Sequence, residues 1–340
     1  MNVVLFLGAG FSAPFGLPTM DQFLGEVARS DRITPEDKEF IGELVLEARR
    51  ANSILESSPT NLEDILSFAV MGDRLGIQEN SDPKSPRVIK ILHNIYSYPK
   101  NAESDWAKLR HLRKFLGKDL NEIKEYLSII TTNYDLLAEF AVLLEKAQAS
   151  LPFEYTSLSA SSSHPNAIYA ENEIPLFKLH GSLNWHTAEG QANIIVDDRI
   201  VNVNLGQGNS AMLPISVKNN HIAPDTTLIV PPTFLKPDLP DALKDSWAGA
   251  AKALKSAEVI VFIGYSFPSS DIEMKYFLAK SLSDNPKLRE IKIIDKKAEN
   301  IVTRLRDSSS GFGSHFKDFL KPQKIQDISW TEMTPLQIFQ

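Results

Sequence analysis

The first ten residues constrain the fold more than any other stretch of the chain. Val3–Leu7 is a run of five apolar residues without polar alternation, which is the pattern of a strand buried on both faces. Gly8 and Gly10 follow it, and glycine lets a backbone turn sharply and approach a neighbour closely. Thr19 and Gln22 have the spacing of a capping box, so a helix is expected to begin there. A strand, a glycine turn and a helix start form a phosphate-binding layout, although a tight turn without a ligand has the same pattern.

The glycine turn also fits the Ala-ended dinucleotide fingerprint, Gly8-x-Gly10-x-x-Ala13. The usual confirmation is a second strand with an acidic residue about 20 positions later. The chain after Thr34 has helical periodicity instead, which argues against the ordinary dehydrogenase unit. We expect one domain over residues 1–340, with a helical insertion at 34–118 and a β-hairpin or loop insertion at 186–224.

Composition narrows the chemistry. The chain has 340 residues, a net charge of −7 and no cysteine. The negative charge argues against strong direct nucleic-acid binding by this chain alone. The lack of cysteine excludes disulfides, thiolate catalysis and thiolate zinc sites, and fits a cytoplasmic protein. No run approaches the ~20 apolar residues of a membrane span, so no membrane partner is expected.

Short apolar runs alternate with helical patterns, which predicts an α/β fold of Rossmann type. We expect a mostly parallel six-stranded sheet with helices on both faces. The strands are predicted at residues 3–7, 127–131, 174–179, 228–230, 259–263 and 291–294. A last short helix is predicted over residues 316–320.

Polar or glycine residues follow these strands. They are Asn133 and Asp135 after the second strand, His180 after the third, Gly264 and Ser266 after the fifth, and Asp295 at the end of the sixth. The carboxyl ends of parallel strands share one edge of a sheet, where ligands bind. These residues and the glycine turn are therefore expected to surround one pocket.

The chain resembles a sirtuin through five short motifs in the family's order. They are Gly8-Ala9-Gly10-Phe11-Ser12, Gly16-Leu17-Pro18-Thr19, Thr131-Thr132-Asn133-Tyr134-Asp135, His180-Gly181-Ser182 and Gly264-Tyr265-Ser266. The resemblance implies a sirtuin fold and a site for NAD. The four-cysteine zinc module of the deacylases cannot form here, so no metal is expected. Residues 228–236 and 262–271 instead resemble the bacterial sirtuin-like branch, whose members hydrolyse NAD in anti-phage defence.

This resemblance implies roles for individual residues. Asn133 and His180 are the expected catalytic residues: Asn133 holds the ribose or orients water, and His180 is the base. The expected NAD-binding residues are Gly8, Ala9, Gly10, Ser12, Thr19, Asp135, Gly264, Ser266 and Asp295. The first four of these would present N–H and O–H donors to the pyrophosphate.

Several of these residues also have simpler interpretations. Asn133, Asp135 and Asp271 suit helix caps. Asp295 suits a surface loop, and His186 is an alternative base to His180. Trp185 and Trp247 are expected in the core rather than against a ligand.

The predicted function is hydrolysis of NAD to nicotinamide and ADP-ribose. One alternative is an NAD-dependent protein deacylase or ADP-ribosyltransferase, and another is a non-catalytic NAD or ADP-ribose sensor. Because an unregulated NADase would harm its host, we expect control by homo-oligomerisation or by a separate sensor protein, Argonaute-like or helicase-like.

Overall fold

The structure is a computed structural model, and it describes twelve stretches of the chain. They are residues 2–54, 62–76, 83–97, 127–138, 175–187, 194–196, 200–206, 209–214, 227–230, 241–268, 271–307 and 316–324. A helix predicted at 106–115, most of one predicted at 136–148 and the serine-rich loop at 157–163 lie outside the described residues.

Eight helices are described, and the first of them lies where only a glycine turn was predicted. The described helices are α1 (Ala9–Ser12), α2 (Met20–Arg29), α3 (Pro35–Ile54), α4 (Leu62–Leu75), α5 (Lys84–Tyr96), α6 (Asp241–Ser256), α7 (Ile272–Ser283) and α8 (Ala298–Arg306). A short 3₁₀ turn, Ala13–Phe15, follows α1 and ends at Gly16, whose φ is +83°. The predicted capping box starts α2, since the Thr19 N–H donates to Gln22 Oε1 at 3.1 Å.

Eleven strands are described, in three sheets. They are β1 (Val3–Leu7), β2 (Leu127–Thr131), β3 (Leu176–Lys178), β4 (Gly181–Thr187), β5 (Ile194–Val196), β6 (Ile200–Gly206), β7 (Asn209–Pro214), β8 (Thr227–Ile229), β9 (Val259–Ile263), β10 (Glu290–Asp295) and β11 (Leu320–Lys324). The main sheet has six parallel strands in the order β11-β10-β9-β1-β2-β3. The predicted α/β fold with a parallel six-stranded sheet is therefore confirmed.

One member of the predicted sheet is wrong. The strand expected at 228–230 is β8, which pairs antiparallel with β4 in a separate sheet of order β5-β4-β8. The sixth strand of the main sheet is instead β11, which was not predicted and which overlaps the helix expected at 316–320 only at Leu320. β11 contains Pro322, and proline is tolerated because this strand lies at the sheet edge. Its exposed residues gave no strand pattern.

The expected β-hairpin is present as β6 and β7, which pair antiparallel from Ile200 opposite Pro214 to Gly206 opposite Asn209. Gln207 and Gly208 stand between the two strands in the sequence, and a glycine in so short a connection is the signal that predicts a hairpin.

Two apolar clusters form the described core. One lies between a face of the main sheet and helices α6, α7 and α8, with Phe6, Phe177 and Phe262 among its largest members. The other joins helices α2 to α5 to the site region through Tyr134, Leu183 and Ile229. Every residue of β1 is at most 2% exposed, as the apolar run predicts for a central strand. No helix in the described stretches is long and apolar enough to cross a bilayer.

Candidate active site

Five neighbouring strands of the main sheet end at the same level. In the strand register, Leu7 of β1 lies opposite Thr131 of β2 and Ile263 of β9. Thr131 in turn lies opposite Lys178, and Ile263 lies opposite Ile294. The segments that follow these ends carry the predicted site residues, so parallel pairing brings those segments to one edge. The chain order reverses between β1 and β9, which is where ligands bind in open α/β sheets.

The glycine turn after β1 interlocks with the loop after β9. Gly264 has φ +63°, a left-handed conformation that favours glycine. A Cβ on Gly264 would lie 2.3 Å from the Gly10 carbonyl carbon, and one on Gly8 would lie 2.6 Å from the Gly264 oxygen. These glycines therefore allow two backbones to touch, an approach that the sequence predicted toward a ligand.

The amides of this turn are used within the protein. The Gly8 N–H donates to the Ile263 carbonyl at 3.0 Å, and the Gly10 N–H donates to the Gly264 carbonyl at 2.9 Å. Each of these two N–H groups therefore has an acceptor within the protein, and a contact of either with a pyrophosphate stays a prediction. That Gly8, Ala9 and Gly10 lie against the nucleotide stays a prediction.

Asn133 is held by a hydrogen-bond network that joins β1 to β2. Its Nδ2 donates to the Gly8 carbonyl at 2.9 Å and to Ser12 Oγ at 3.1 Å. The Ser12 hydroxyl donates in turn to Asp135 Oδ2 at 2.7 Å. Asp135 Oδ1 accepts from the Leu137 N–H two residues later at 3.0 Å, and its role as a helix cap stays a prediction. The Ser12 proton is thus engaged with Asp135, and contact of either residue with NAD stays a prediction.

The network fixes the orientation of the Asn133 amide. The Gly8 carbonyl can only accept, so the atom facing it is the NH₂ group and not the oxygen. Both N–H bonds of that group have acceptors, and Oδ1 accepts no hydrogen bond from the described residues. Asn133 is half-buried, so Oδ1 is left to accept from water or a ligand hydroxyl.

His180 lies between two aromatic rings. Its ring centroid is 6.5 Å from that of Tyr134 and 6.3 Å from that of Trp247, and the residue is 6% exposed. Burial raises the pKa of Tyr134 well above its ordinary range, so its hydroxyl stays protonated and donates to the Val230 carbonyl at 2.9 Å. The Val230 N–H donates to the His180 carbonyl at 2.9 Å. The strand predicted in the wrong sheet therefore still braces the site.

Trp247 combines the core position predicted for it with a role beside His180. Its Nε1 donates to the Leu179 carbonyl at 2.9 Å, and its ring packs edge-on against Phe277 at 4.9 Å. Trp185 is fully buried in β4, as predicted. Nothing in the sequence placed Trp247 next to His180, since the two are distant in the chain.

Lys178 is a residue that the sequence reasoning missed. Its side chain is 0% exposed, and its Nζ donates to the Asp135 carbonyl at 2.6 Å and the Tyr134 carbonyl at 3.4 Å. The available signal was a lysine in an apolar strand, two residues before His180.

The remaining predicted site residues are Ser266 and Asp295, which follow or end strands of the main sheet, and Thr19 at the start of α2. Ser266 is exposed, and its carbonyl accepts from Arg304 of α8, which also donates to the Phe267 carbonyl at 3.1 Å. Asp295 Oδ1 accepts from the Lys297 N–H at 2.8 Å, which ties its carboxylate to a local turn. Thr19 caps α2, and ligand contacts of all three predicted residues stay predictions.

Two further predictions concern single side chains. Asp271 accepts from the Met274 N–H at 3.1 Å, so its predicted role as a helix cap is confirmed. His186, the alternative base, lies on β4 opposite Thr227. Thr227 Oγ1 is 3.1 Å from His93 Nδ1 of α5, and the charge of His186 helps to lower the pKa of His93, so His186 lies near this helix.

Residues 127–309 match the family model described as the SIR2-like domain, which is more than half of the chain. The chain belongs to the SIR2-like domain family. The matched stretch includes Asn133, His180 and Gly264. The glycine turn lies before this stretch in the sequence, but it follows β1, which pairs with β2 and β9 of the matched stretch. Membership of this family indicates an NAD-utilising enzyme.

Two solved structures are similar to this SIR2-like protein at low identity. One comes from work on the mechanism and regulation of Sir2 enzymes, at 12% identity and TM-score 0.34, covering 99% of this chain and 92% of that chain. The other concerns sirtuin substrate affinity, at 14% identity and TM-score 0.36, covering 98% and 92%. No curated protein matches the chain significantly. The family assignment therefore rests on the SIR2-like domain model.

Proposed function

We propose that this SIR2-like protein is an NAD⁺ glycohydrolase, which cleaves the nicotinamide–ribose bond and releases nicotinamide and ADP-ribose. The observation that carries the proposal is the fixed Asn133 amide. Its NH₂ group is bound by Gly8 and Ser12, and its oxygen is left to accept, at the sheet edge that also carries His180.

The chemistry needs few groups. As the N-glycosidic bond breaks, its electron pair moves to the nicotinamide nitrogen, so the leaving group departs neutral and needs no acid. The ribose passes through an oxocarbenium-like transition state, and water adds at the anomeric carbon. Asn133 Oδ1 accepts a hydrogen bond from that water and orients it. His180 accepts the proton that the water loses, a role that suits histidine near neutral pH.

Composition supports hydrolysis over deacylation. Deacylase sirtuins resemble this chain but use a four-cysteine zinc module to help build the peptide cleft, and this chain has no cysteine. Without the zinc module that helps to bind a peptide, hydrolysis of NAD by water is favoured over transfer of an acyl group from a peptide.

The test is nicotinamide release by purified protein, with NAD as the only substrate. Asn133→Ala and His180→Ala are expected to lose activity, His180→Ala by about 10²- to 10⁴-fold, the usual contribution of a general base. Asn300→Ala, at an exposed position of α8, is the matched control and is expected to keep wild-type turnover. If both site variants turn over NAD at the wild-type rate with unchanged melting temperatures, the assignment of the site is wrong.

The products separate the other functions. Nicotinamide release that requires an acylated peptide indicates a deacylase, and ADP-ribose attached to protein indicates a transferase. Tight NAD binding in calorimetry without any nicotinamide indicates a sensor module.

We also propose that the protein is an NAD-depleting effector of anti-phage defence, held inactive until it assembles or binds a sensor protein. This rests on the resemblance to the bacterial sirtuin-like branch. The test compares NAD turnover with and without the products of neighbouring genes, alongside the mass in solution by light scattering. Full activity of an isolated monomer would contradict it.

A further inference from the structure

We propose that Lys178 is a positioning residue, which ties the His180 segment to the Asn133 segment and so sets the geometry of the reaction. The inference rests on the proposed glycohydrolase function. Lys178 is the last residue of β3, and its side chain crosses to the segment that follows β2.

The backbone on the His180 side is already fixed. The Lys178 carbonyl accepts from Ser246 Oγ at 3.2 Å, and the Leu179 carbonyl accepts from Trp247 at 2.9 Å. Both donors belong to α6, which packs on this strand. The backbone from which the Lys178 side chain extends to the Asn133 segment is therefore held in place by α6.

The backbone on the Asn133 side is held partly by the same lysine. The Tyr134 carbonyl accepts from the Leu183 N–H at 3.0 Å and from Lys178 Nζ at 3.4 Å, while the Asp135 carbonyl accepts from Nζ at 2.6 Å. These peptide groups follow Asn133 directly. A shift of this backbone would move the Asn133 amide relative to Gly8 and Ser12.

A buried lysine is costly to replace as well as to bury. Burying an ammonium group costs several kcal/mol of hydration, and Lys178→Met leaves the Tyr134 and Asp135 carbonyls without this donor, which costs about 1–3 kcal/mol for each unsatisfied acceptor. This loss is within the stability of a domain of this size, and the melting temperature measures it. Methionine has a similar length and fits an apolar strand. We therefore expect Lys178→Met to fold and to reveal what the charge does for the site.

Lys292 of β10 provides a matched control. It is also a lysine buried in a strand of the main sheet, at 6% exposed, and its Nζ lies 3.9 Å from Glu290 Oε2. Lys292→Met makes the same chemical change without touching the Asn133 or His180 segments.

The experiment measures three quantities on wild type, Lys178→Met, Lys178→Arg and Lys292→Met. They are the kcat and KM for NAD, the melting temperature, and the amide hydrogen exchange of residues 131–138. Lys178→Met is expected to lose about 100-fold in kcat, which is typical when a reacting group is misplaced by about 1 Å, with KM unchanged. Its exchange over 131–138 should accelerate, Lys178→Arg should recover part of both effects, and Lys292→Met should match wild type.

The outcomes separate this inference from the proposed function. Unchanged exchange over 131–138 in Lys178→Met overturns the positioning role whatever the activity. Unchanged kcat with accelerated exchange overturns its relevance to the reaction. If wild type releases no nicotinamide under any condition but exchange accelerates only in the Lys178 variants, the positioning role stands and the glycohydrolase proposal fails.

Discussion

His93 should make the stability of this SIR2-like protein depend on pH between about 4 and 6.5. It lies on α5, where its Nδ1 is 3.1 Å from Thr227 Oγ1 of β8. The pKa of His93 is lowered from 6.5 to about 4, mainly by burial and to a smaller extent by the nearby charge of His186. The neutral ring is therefore the form that the folded protein prefers.

The sign and size follow from proton linkage. Between pH 4 and 6.5 the unfolded chain protonates this histidine and the folded chain does not, so acid favours unfolding. The contribution is fully present above pH 6.5 and is lost as the pH falls through 4. A shift of this size corresponds to about 3 kcal/mol in total, of which about 2 kcal/mol is lost by pH 5.

The assay is urea unfolding of wild type and His93→Gln at pH 7 and pH 5. Glutamine does not titrate and can still bond to Thr227, so the variant should lose about 2 kcal/mol less than wild type between these two pH values. Equal losses in both proteins would refute the argument, because they would mean that His93 titrates alike in the folded and unfolded chains.

Two further perturbations test the interlocked loops at the sheet edge. Gly264→Ala places a methyl group 2.3 Å from the Gly10 carbonyl carbon at a residue with φ +63°, so it should lower the free energy of unfolding by about 2–5 kcal/mol. The control is Gly42→Ala in helix α3, where nothing lies within 4 Å of the new methyl group, and it should raise the free energy of unfolding by about 0.5–1 kcal/mol. Equal effects of the two substitutions would contradict the close contact of the two loops. Arg304→Gln removes the guanidinium that donates to the Ser266 carbonyl, so it should raise the KM for NAD with little change in kcat. An unchanged KM would mean that the loop containing Ser266 does not contribute to NAD binding.

Elements whose signals are local could be predicted from the sequence. β1 and β9 are continuous apolar runs and are buried throughout, so their bounds were predicted to the residue. Such elements carry enough information in their own residues, because burial dictates their composition.

Pairing between strands is not encoded locally. β8 has three residues and β11 has only one buried residue, so neither says which strand it pairs with. The edge position of β11 removes the need for an apolar pattern, which is why no strand was predicted there.

The candidate site divides in the same way. Asn133 and His180 could be placed at one edge of the sheet from the sequence, because each follows a strand and parallel strands end at the same edge. The engagement of the Gly8 amide with Ile263, and of Lys178 with Asp135, depends on side chains and backbones that meet only in the folded chain. The type of a residue indicates which hydrogen bonds it can form, but not which partner it meets in the folded chain.

The central position of β1 affects how the protein is made. β1 is synthesised well before β9, since Val259, with which Val3 pairs, leaves the ribosome roughly 250 residues later. At translation rates of about 5–20 residues per second, that interval is roughly 10 to 50 s. During it, the first strand has one of its two flanking neighbours at most, and Gly8 has no Ile263 carbonyl to bind. A nascent chain therefore cannot assemble this pocket, and a ribosome that stalls before β9 releases a product without a formed site.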